Sequence, residues 1–188
     1  MKRTFIGLKI DSDRALMHLL SDLKKNLVGE QLRWIDPQNL HLTLRFLGNT
    51  EDSQLDDITK ALDILIPQYS LFNLEIEGLA IFGKRSLPKI LWAGVKMPQN
   101  IYTLVANIED IVCKAGFEQE TKPYSPHLTL CRIKALKEAA NLLELVDQYK
   151  KTHFLTQNVN EIILYESVLR SFGAVYVPLR KFDLSNPA

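Results

Sequence analysis

The chain has 188 residues, of which 46% are hydrophobic and 24% charged, so it can bury one sizeable core and has an ordinary globular composition. Its net charge of +1 offers no argument for binding long nucleic acids through an overall field. No window reaches transmembrane length, and neither cysteine has a CxxC neighbour. We therefore expect one cytoplasmic domain over residues 1–188, a monomer without membrane contact.

The first half of the chain is predicted to alternate strands and helices. Apolar residues alternate near the N-terminus, and leucines then recur at helical spacing. Asp11-Ser12 and Thr50 are the predicted N-caps of the two helices, and Gly29 ends the first helix. The predicted elements are a strand over 2–10, a helix over 12–28, a strand over 41–47 and a helix over 50–67.

The second half is predicted to repeat that order loosely and then to add three strands. The predicted elements are strands over 71–82, 90–95 and 127–133 with a basic loop at 83–88, helices over 98–116 and 136–150, final strands over 154–159, 161–169 and 174–182, and a frayed tail at 185–188. Four helices and strands joined by short turns indicate an α+β fold with antiparallel sheets. The loose repetition suggests a duplicated unit packed about a pseudo-twofold axis.

One tetrad, His-Leu-Thr-Leu, occurs twice, at His41–Leu44 and at His127–Leu130. Both copies have strand character, and alternate side chains of a strand share a face. Each copy therefore places an imidazole and a hydroxyl on one surface and buries its leucines behind them. Two such strands brought together would line one cleft with four polar side chains: His41, Thr43, His127 and Thr129.

Three interpretations of the paired histidines explain the repetition poorly. A structural role suits His18 and His153, but not two histidines that carry the same neighbours. By alternation Cys131 shares the face of His127 and could complete a His-His-Cys metal site, yet no acidic residue and no HExxH or CxxC spacing accompanies the tetrads. A threonine nucleophile would need an orienting acid, and the motif has none.

The fourth interpretation is a general acid and a general base on opposite sides of a phosphorus atom. In-line displacement needs one group to accept a proton from the attacking oxygen and another to protonate the leaving oxygen. Imidazole, with a pKa of about 6.5, suits both tasks near neutral pH. The threonine hydroxyls would bond the non-bridging oxygens, and a strained cyclic diester would require no metal.

The residues around the tetrads resemble a known family. The chain is similar to the two-histidine (2H) phosphoesterases, and more narrowly to the bacterial and archaeal RNA 2′,3′-cyclic phosphodiesterases, also called 2′-5′ RNA ligases. The similar blocks are Phe5–Leu8, Trp34–Gly48, Leu91–Val95, Pro126–Arg132, Leu164–Ser167 and Tyr176.

The resemblance implies a two-lobed α+β fold, with two mainly antiparallel sheets, helices outside and a central cleft. It also implies hydrolysis of a 2′,3′-cyclic phosphate to a 2′-phosphate without metal or other cofactor. In that scheme His41 protonates the departing 3′ oxygen, His127 takes the proton from water, and Thr43 and Thr129 hold the phosphate. The family's second name adds reverse 2′-5′ RNA ligation as an accompanying reaction.

Two arginines are candidates to bind the phosphate. Arg132 matches an arginine that follows the second motif in the family, but strict alternation points it away from His127 unless the strand has a bulge. Arg45 lies on the face of His41 by alternation and is the second candidate. Ser125 stands where the family carries a basic or aromatic residue.

The implied partner is an RNA with a 2′,3′-cyclic phosphate end, such as a tRNA fragment, or else a small cyclic nucleotide. A protein of another class, a non-catalytic RNA-end binder, would keep the pocket without needing both histidines. Turnover of a nucleoside 2′,3′-cyclic monophosphate compared with an oligonucleotide end separates these functions.

Overall fold

The computed structural model describes residues 1–171 and 173–185. Its strands are β1 (Lys2–Lys9), β2 (Gln31–Trp34), β3 (His41–Thr50), β4 (Phe72–Lys84), β5 (Leu87–Lys96), β6 (His127–Ala135), β7 (His153–Val159), β8 (Glu161–Arg170) and β9 (Gly173–Asp183). Its helices are α1 (Arg14–Asn26), α2 (Asp52–Leu65), α3 (Gln99–Lys114) and α4 (Ala139–Gln148), with short 3-10 turns at Pro37–Asn39 and Ile66–Gln68. The predicted α+β class is confirmed.

The strands pair antiparallel in one continuous sheet that divides into two lobes. Its order is β7-β4-β5-β6-β3-β1-β8-β9, with β2 also paired to β6. At the centre, β3 and β6 share one registered pair, Leu42 opposite Leu128. Four strands lie on each side of this centre. One side has the order β3, β1, β8 and β9, and the other has the order β6, β5, β4 and β7. This arrangement agrees with the predicted duplication, although the two sheets are halves of one.

Two helices pack on each lobe. In the first lobe α3 packs on β3, and α2 packs on α3 and β9; in the second lobe α1 packs on β7 and α4 on β4. Thus α1 leaves β1 and α3 leaves β5, and each crosses to the other lobe. Within residues 1–171 and 173–185, no helix is long and apolar enough to cross a membrane.

Two predicted helix starts lie one or more residues too early. Asp13 caps α1, and its carboxylate accepts hydrogen bonds from the backbone of Ala15 and Leu16. Thr50 is the buried last residue of β3, and its hydroxyl bonds that of Thr4 at 2.7 Å. Because Thr50 is used within the sheet, Glu51 becomes the N-cap of α2.

Two further predictions concern chain segments between or beyond the elements. The predicted loop at 83–88 is mostly strand, because β4 and β5 form a hairpin closed by the two residues 85 and 86. In the tail, Ser185 forms a bridge with Ser70. The rest of the segment predicted to fray, 186–188, lies outside the described residues.

Candidate active site

The two tetrads lie side by side at the centre of the sheet. Leu42 is opposite Leu128, and the leucines of both tetrads are buried in the main core. The histidines and threonines are partly exposed on the other face. Antiparallel register directs each histidine towards the threonine of the other tetrad. The four predicted side chains therefore share one surface where the lobes meet: His41, Thr43, His127 and Thr129.

A β-bulge follows the threonine of each tetrad. On β6 the register passes from Thr129 to Cys131 against β5, which leaves Leu130 as the extra residue. On β3 it passes from Thr43 to Arg45 against β1, which leaves Leu44 as the extra residue. An extra residue reverses the alternation of faces beyond it. Side chains after each bulge therefore lie on the faces opposite to those predicted.

The bulge on β6 turns Arg132 towards the histidine face. Arg132 is exposed, whereas its neighbours Cys131 and Ile133 are buried in the core. The geometric condition for Arg132 to act beside His127 is thus met. The same bulge removes Cys131 from the histidine face, and burial raises the pKa of its thiol to about 12.

The donor set for the alternative metal site is consequently not assembled. Cys131 is fully buried among apolar side chains instead of standing beside His127. In the described part of the chain, no three His, Cys, Asp or Glu side chains are grouped closely enough to hold a metal ion. The His-His-Cys interpretation fails because it assumed unbroken alternation along β6.

The prediction that Arg45 shares the face of His41 is wrong for the same reason. After the bulge at Leu44, the Arg45 side chain lies against α3, where it pairs with Glu109. Its guanidinium also donates to the carbonyl oxygens of Phe46 and Glu118, at 2.7 and 2.6 Å. With Nε and both terminal nitrogens engaged, Arg45 joins α3 to the sheet.

Both histidines are held by the same local contact. Nδ1 of His41 lies 2.7 Å from the carbonyl oxygen of Asn39, and Nδ1 of His127 lies 2.8 Å from that of Ser125. Because a carbonyl only accepts, Nδ1–H must donate, and Nε2 is left to gain or lose a proton. Ser125 contributes its backbone, so its departure from the family pattern does not affect this contact.

The aromatic surroundings of the two imidazoles differ. The ring of His41 lies 4.8 Å from those of Phe5 and Tyr176. Burial lowers the pKa of His41 from its usual 6.5, the hydrogen bond to Asn39 opposes this, and the charges of His127 and Arg132 lower it further.

His127 lies in a more open setting. Its ring is 4.8 Å from that of Phe82 and 5.9 Å from that of Trp92. Among the described residues the indole N–H of Trp92 is buried without a hydrogen-bond partner. The residue pattern did not point to these aromatic contacts, because β4 and β5 are far from β6 in sequence.

Two positioning contacts were also missed at the level of sequence. Tyr124 donates its hydroxyl to the carbonyl of Thr43 at 3.1 Å. The Asn39 side chain donates to the carbonyl of Ala174 on β9 at 2.8 Å, while its own carbonyl anchors His41. Asn39 and Ser125 each lie two positions before a histidine, and this common spacing was visible in the sequence. The contacts to the histidines use their backbone carbonyls, which the residue type does not indicate.

The comparisons with known proteins show the family of this chain. Residues 4–184 match the family model described as the AKAP7 2′5′ RNA ligase-like domain. The chain belongs to the 2′-5′ RNA ligase-like family of two-histidine phosphoesterases. A relative from Aquifex aeolicus, named RNA 2′,3′-cyclic phosphodiesterase, is 33% identical over 97% of each chain. The resemblance stated from the sequence is therefore confirmed.

Two solved structures share the fold over nearly the whole chain. TT0787 of Thermus thermophilus has a TM-score of 0.80 and 23% identity, covering 99% of this chain and 100% of that one. E. coli LigT complexed with 3′-AMP has a TM-score of 0.75 and 23% identity, covering 98% and 99%. At this identity the similarity establishes the fold of the family.

Proposed function

We propose that this protein is an RNA 2′,3′-cyclic phosphodiesterase that uses His41 and His127 as a general acid–base pair. The observation that carries the proposal is the matched pair of imidazoles. Each donates Nδ1–H to a backbone carbonyl and leaves Nε2 free on a shared surface between the lobes. Family membership and the names of the relatives supply the substrate, an RNA ending in a 2′,3′-cyclic phosphate.

In the proposed reaction a water oxygen attacks phosphorus as the bond from phosphorus to the 3′ oxygen breaks. His127, neutral at Nε2, accepts the proton that the water loses. His41, protonated at Nε2, gives its proton to the leaving 3′ oxygen, so the product carries a 2′-phosphate and a 3′ hydroxyl. Each histidine ends in the other's starting protonation state, and solvent exchange resets the pair. This assignment of acid and base follows the family.

The surroundings of His41 shift its pKa in opposite directions before and after the substrate binds. Burial lowers the pKa of His41 in the free protein, which favours the neutral form. A phosphodiester beside the imidazole adds a negative charge, and an opposite charge within a few ångströms raises the pKa. Substrate binding would therefore favour the protonated form of His41.

Three further side chains would contact the phosphate. The hydroxyls of Thr43 and Thr129 would donate to the non-bridging oxygens, where charge builds in the transition state. Arg132, brought to this face by the bulge, adds a positive charge. No step assigned to these residues needs a metal, because the strained ring and the two imidazoles supply the leaving-group activation and proton transfer.

The proposal extends to the setting of the enzyme. We place it in a reducing compartment, the cytoplasm, as a monomeric single domain over residues 1–188 that acts on RNA ends such as those of tRNA fragments. The cysteines support the reducing compartment, because Cys113 and Cys131 are both free. Reverse 2′-5′ ligation would use the same acid–base pair, with the 5′ hydroxyl of a second RNA attacking phosphorus in place of water.

The direct test is hydrolysis of a short RNA with a 2′,3′-cyclic phosphate end, with phosphorus NMR to identify the product. We expect a 2′-phosphate, and full activity after exhaustive EDTA treatment. The double variant His41→Ala/His127→Ala should be inactive, whereas His18→Ala, which changes an exposed histidine on α1, should keep the wild-type rate. Tight RNA-end binding without turnover would instead identify an RNA-end-binding protein.

A further inference from the structure

A cavity of about 480 Å³ lies next to the histidine pair, and most of the residues that line it have no role in the reaction proposed above. Three arginines line it, Arg3 from β1, Arg33 from β2 and Arg132 from β6. Asn39, whose carbonyl anchors His41, also lines it. The cavity therefore adjoins the anchor of His41, and residues 173–175 of β9 form part of its wall.

The positive charges in this cavity are not neutralised by the protein. Arg33 and Arg132 stand directly opposite each other on paired strands. Like charges in that position are destabilising, by roughly 0.2–1 kcal/mol for a cross-strand pair. In the part of the chain that the structure describes, none of the three arginines is within ion-pair distance of a carboxylate. Such an arrangement is retained at a cost, which a bound anion would offset.

One acidic residue, Asp36, also lines the cavity, and its carboxylate accepts the backbone N–H of Gln38 at 2.9 Å. Its single negative charge leaves the three guanidinium groups in excess. The remaining lining is apolar or neutral, including Leu169 with 70% of its surface exposed. The cavity thus offers guanidinium donors together with an apolar wall, the combination that a nucleotide with its phosphate requires.

The cavity and the histidine pair are electrostatically connected through Arg132 and Tyr176. The charge of Arg132 acts on His41. Burial raises the pKa of Tyr176, and the charges of Arg132, Arg3 and Arg33 oppose that rise. The Tyr176 ring packs 4.8 Å from that of His41, so the phenol whose pKa these charges affect adjoins the imidazole.

We propose that the arginine cavity binds the phosphodiester that precedes the terminal nucleotide of the RNA. Arg132 is shared with the cyclic phosphate, whereas Arg3 and Arg33 contact the preceding phosphate alone. The substrate class is then an oligonucleotide, and a nucleoside 2′,3′-cyclic monophosphate lacks the group that the cavity recognises. This inference rests on the proposed function, because it takes the cyclic end to lie at the histidines.

The test compares a nucleoside 2′,3′-cyclic monophosphate with a dinucleotide that ends in the same cyclic nucleotide. Wild-type kcat/KM should be about tenfold or more higher for the dinucleotide, the value of one charge-assisted hydrogen bond. Arg33→Gln should remove that advantage by raising KM at unchanged kcat, because the contact is the same in ground and transition states. Its kcat/KM for the monophosphate should stay at the wild-type value.

Salt and a matched variant give two controls. The slope of log kcat/KM against log salt for the dinucleotide should become shallower by about 0.7 in Arg33→Gln, one single-strand phosphate contact. Arg180→Gln changes an exposed arginine of β9 that pairs with Asp63 on α2. It should leave the substrate preference and the slope at their wild-type values.

The outcomes separate this inference from the proposed function. Equal wild-type rates on both substrates, or an equal loss on both in Arg33→Gln, would overturn the arginine subsite and leave the phosphodiesterase intact. Hydrolysis of neither substrate would overturn the proposed function. In that case binding of the dinucleotide 2′-phosphate, measured against the nucleoside 2′-phosphate, decides the subsite by the same tenfold, Arg33-dependent preference.

Discussion

The two histidine strands, β3 and β6, share a motif, an anchor and a bulge, yet they surround their imidazoles differently. His41 is enclosed by Phe5 and Tyr176, and burial lowers its pKa. His127 is more open, beside Phe82 and Trp92. The repeated motif supplies two imidazoles with the same anchor. Their different neighbours, contributed by other strands, give them different surroundings, and in the proposed mechanism the two imidazoles must likewise differ in protonation.

The strands also differ at the two positions after the bulge. On β3 these are Arg45, which pairs with Glu109 on α3, and the exposed Phe46. On β6 they are the buried Cys131 and the exposed Arg132. The two copies therefore place their arginines on opposite faces, one joined to a helix and one beside the histidines. This difference gives the shared surface a positive charge on the β6 side.

The largest expected effect separates the two histidines. His41→Ala and His127→Ala should each lower kcat/KM on an RNA end by roughly 10²–10⁴. A phosphodiester with a p-nitrophenolate leaving group needs little protonation, so it should restore the rate of His41→Ala far more than that of His127→Ala. Restoration of His127→Ala instead would reverse the acid and base. Small, equal losses of kcat/KM in both variants would contradict acid–base catalysis by the two histidines.

Substitution of Arg132 should affect mainly activity, whereas substitution of Arg45 should affect mainly stability. Arg132→Gln should lower kcat/KM by about 10- to 100-fold with little change in Tm, because it removes a phosphate contact from an exposed side chain. Arg45→Gln should lower the free energy of unfolding by about 1–3 kcal/mol, because it leaves the partly buried Glu109 without its cation. Urea unfolding and steady-state kinetics on both variants measure this division. A purely kinetic loss in Arg45→Gln would contradict the placement of its side chain.

A smaller effect should appear in the pH profile. Two imidazoles of opposite protonation give a bell-shaped dependence of kcat/KM on pH, with limbs that belong to the pair. Tyr176→Ala would open the enclosure of His41 and let its pKa rise towards 6.5, so the limb of the profile that His41 governs should move to higher pH. Phe82→Ala, made beside His127, is the matched control and should leave that limb in place. NMR titration of the imidazole C–H protons would assign each pKa directly.

The smallest effect concerns stability in acid. The folded protein disfavours protonation of His41, so the unfolded chain binds more protons as pH falls below about 6.5. The contribution of His41 to stability is therefore fully present above the unfolded pKa and decreases as pH falls towards the folded pKa. The Tm of the wild type should drop more between pH 7.5 and 5.5 than that of His41→Gln. An equal fall in Tm for the wild type and His41→Gln would contradict the burial of the His41 imidazole.

The sequence was informative wherever strand alternation holds and misleading where pairing breaks it. His41 and Thr43 share a face with His127 and Thr129 because no bulge intervenes within either tetrad. Alternation then failed at Arg45, since a bulge depends on how β1 pairs with β3. That pairing is not visible in the residues of β3 alone.

The arginine cavity shows a second limit of local reasoning. Arg3 and Arg33 belong to no motif, and both are far from Arg132 along the chain. Strand pairing places Arg33 opposite Arg132, and β1 brings Arg3 to the same cavity. The helix caps illustrate the same point on a smaller scale, because Thr50 is a good cap by type but is already bonded to Thr4. Tertiary partners decide such cases.

The order of strands also has a consequence for synthesis of the protein. β1 pairs on one side with β8, where Gly7 lies opposite Ile163. The first lobe therefore has no complete sheet until β8 has been translated. Contacts of such long sequence separation form slowly, because the entropy of closing the loop is lost before the contacts form. A nascent chain truncated before β8 should expose an unpaired strand edge, so neither half of this duplicated protein should fold by itself.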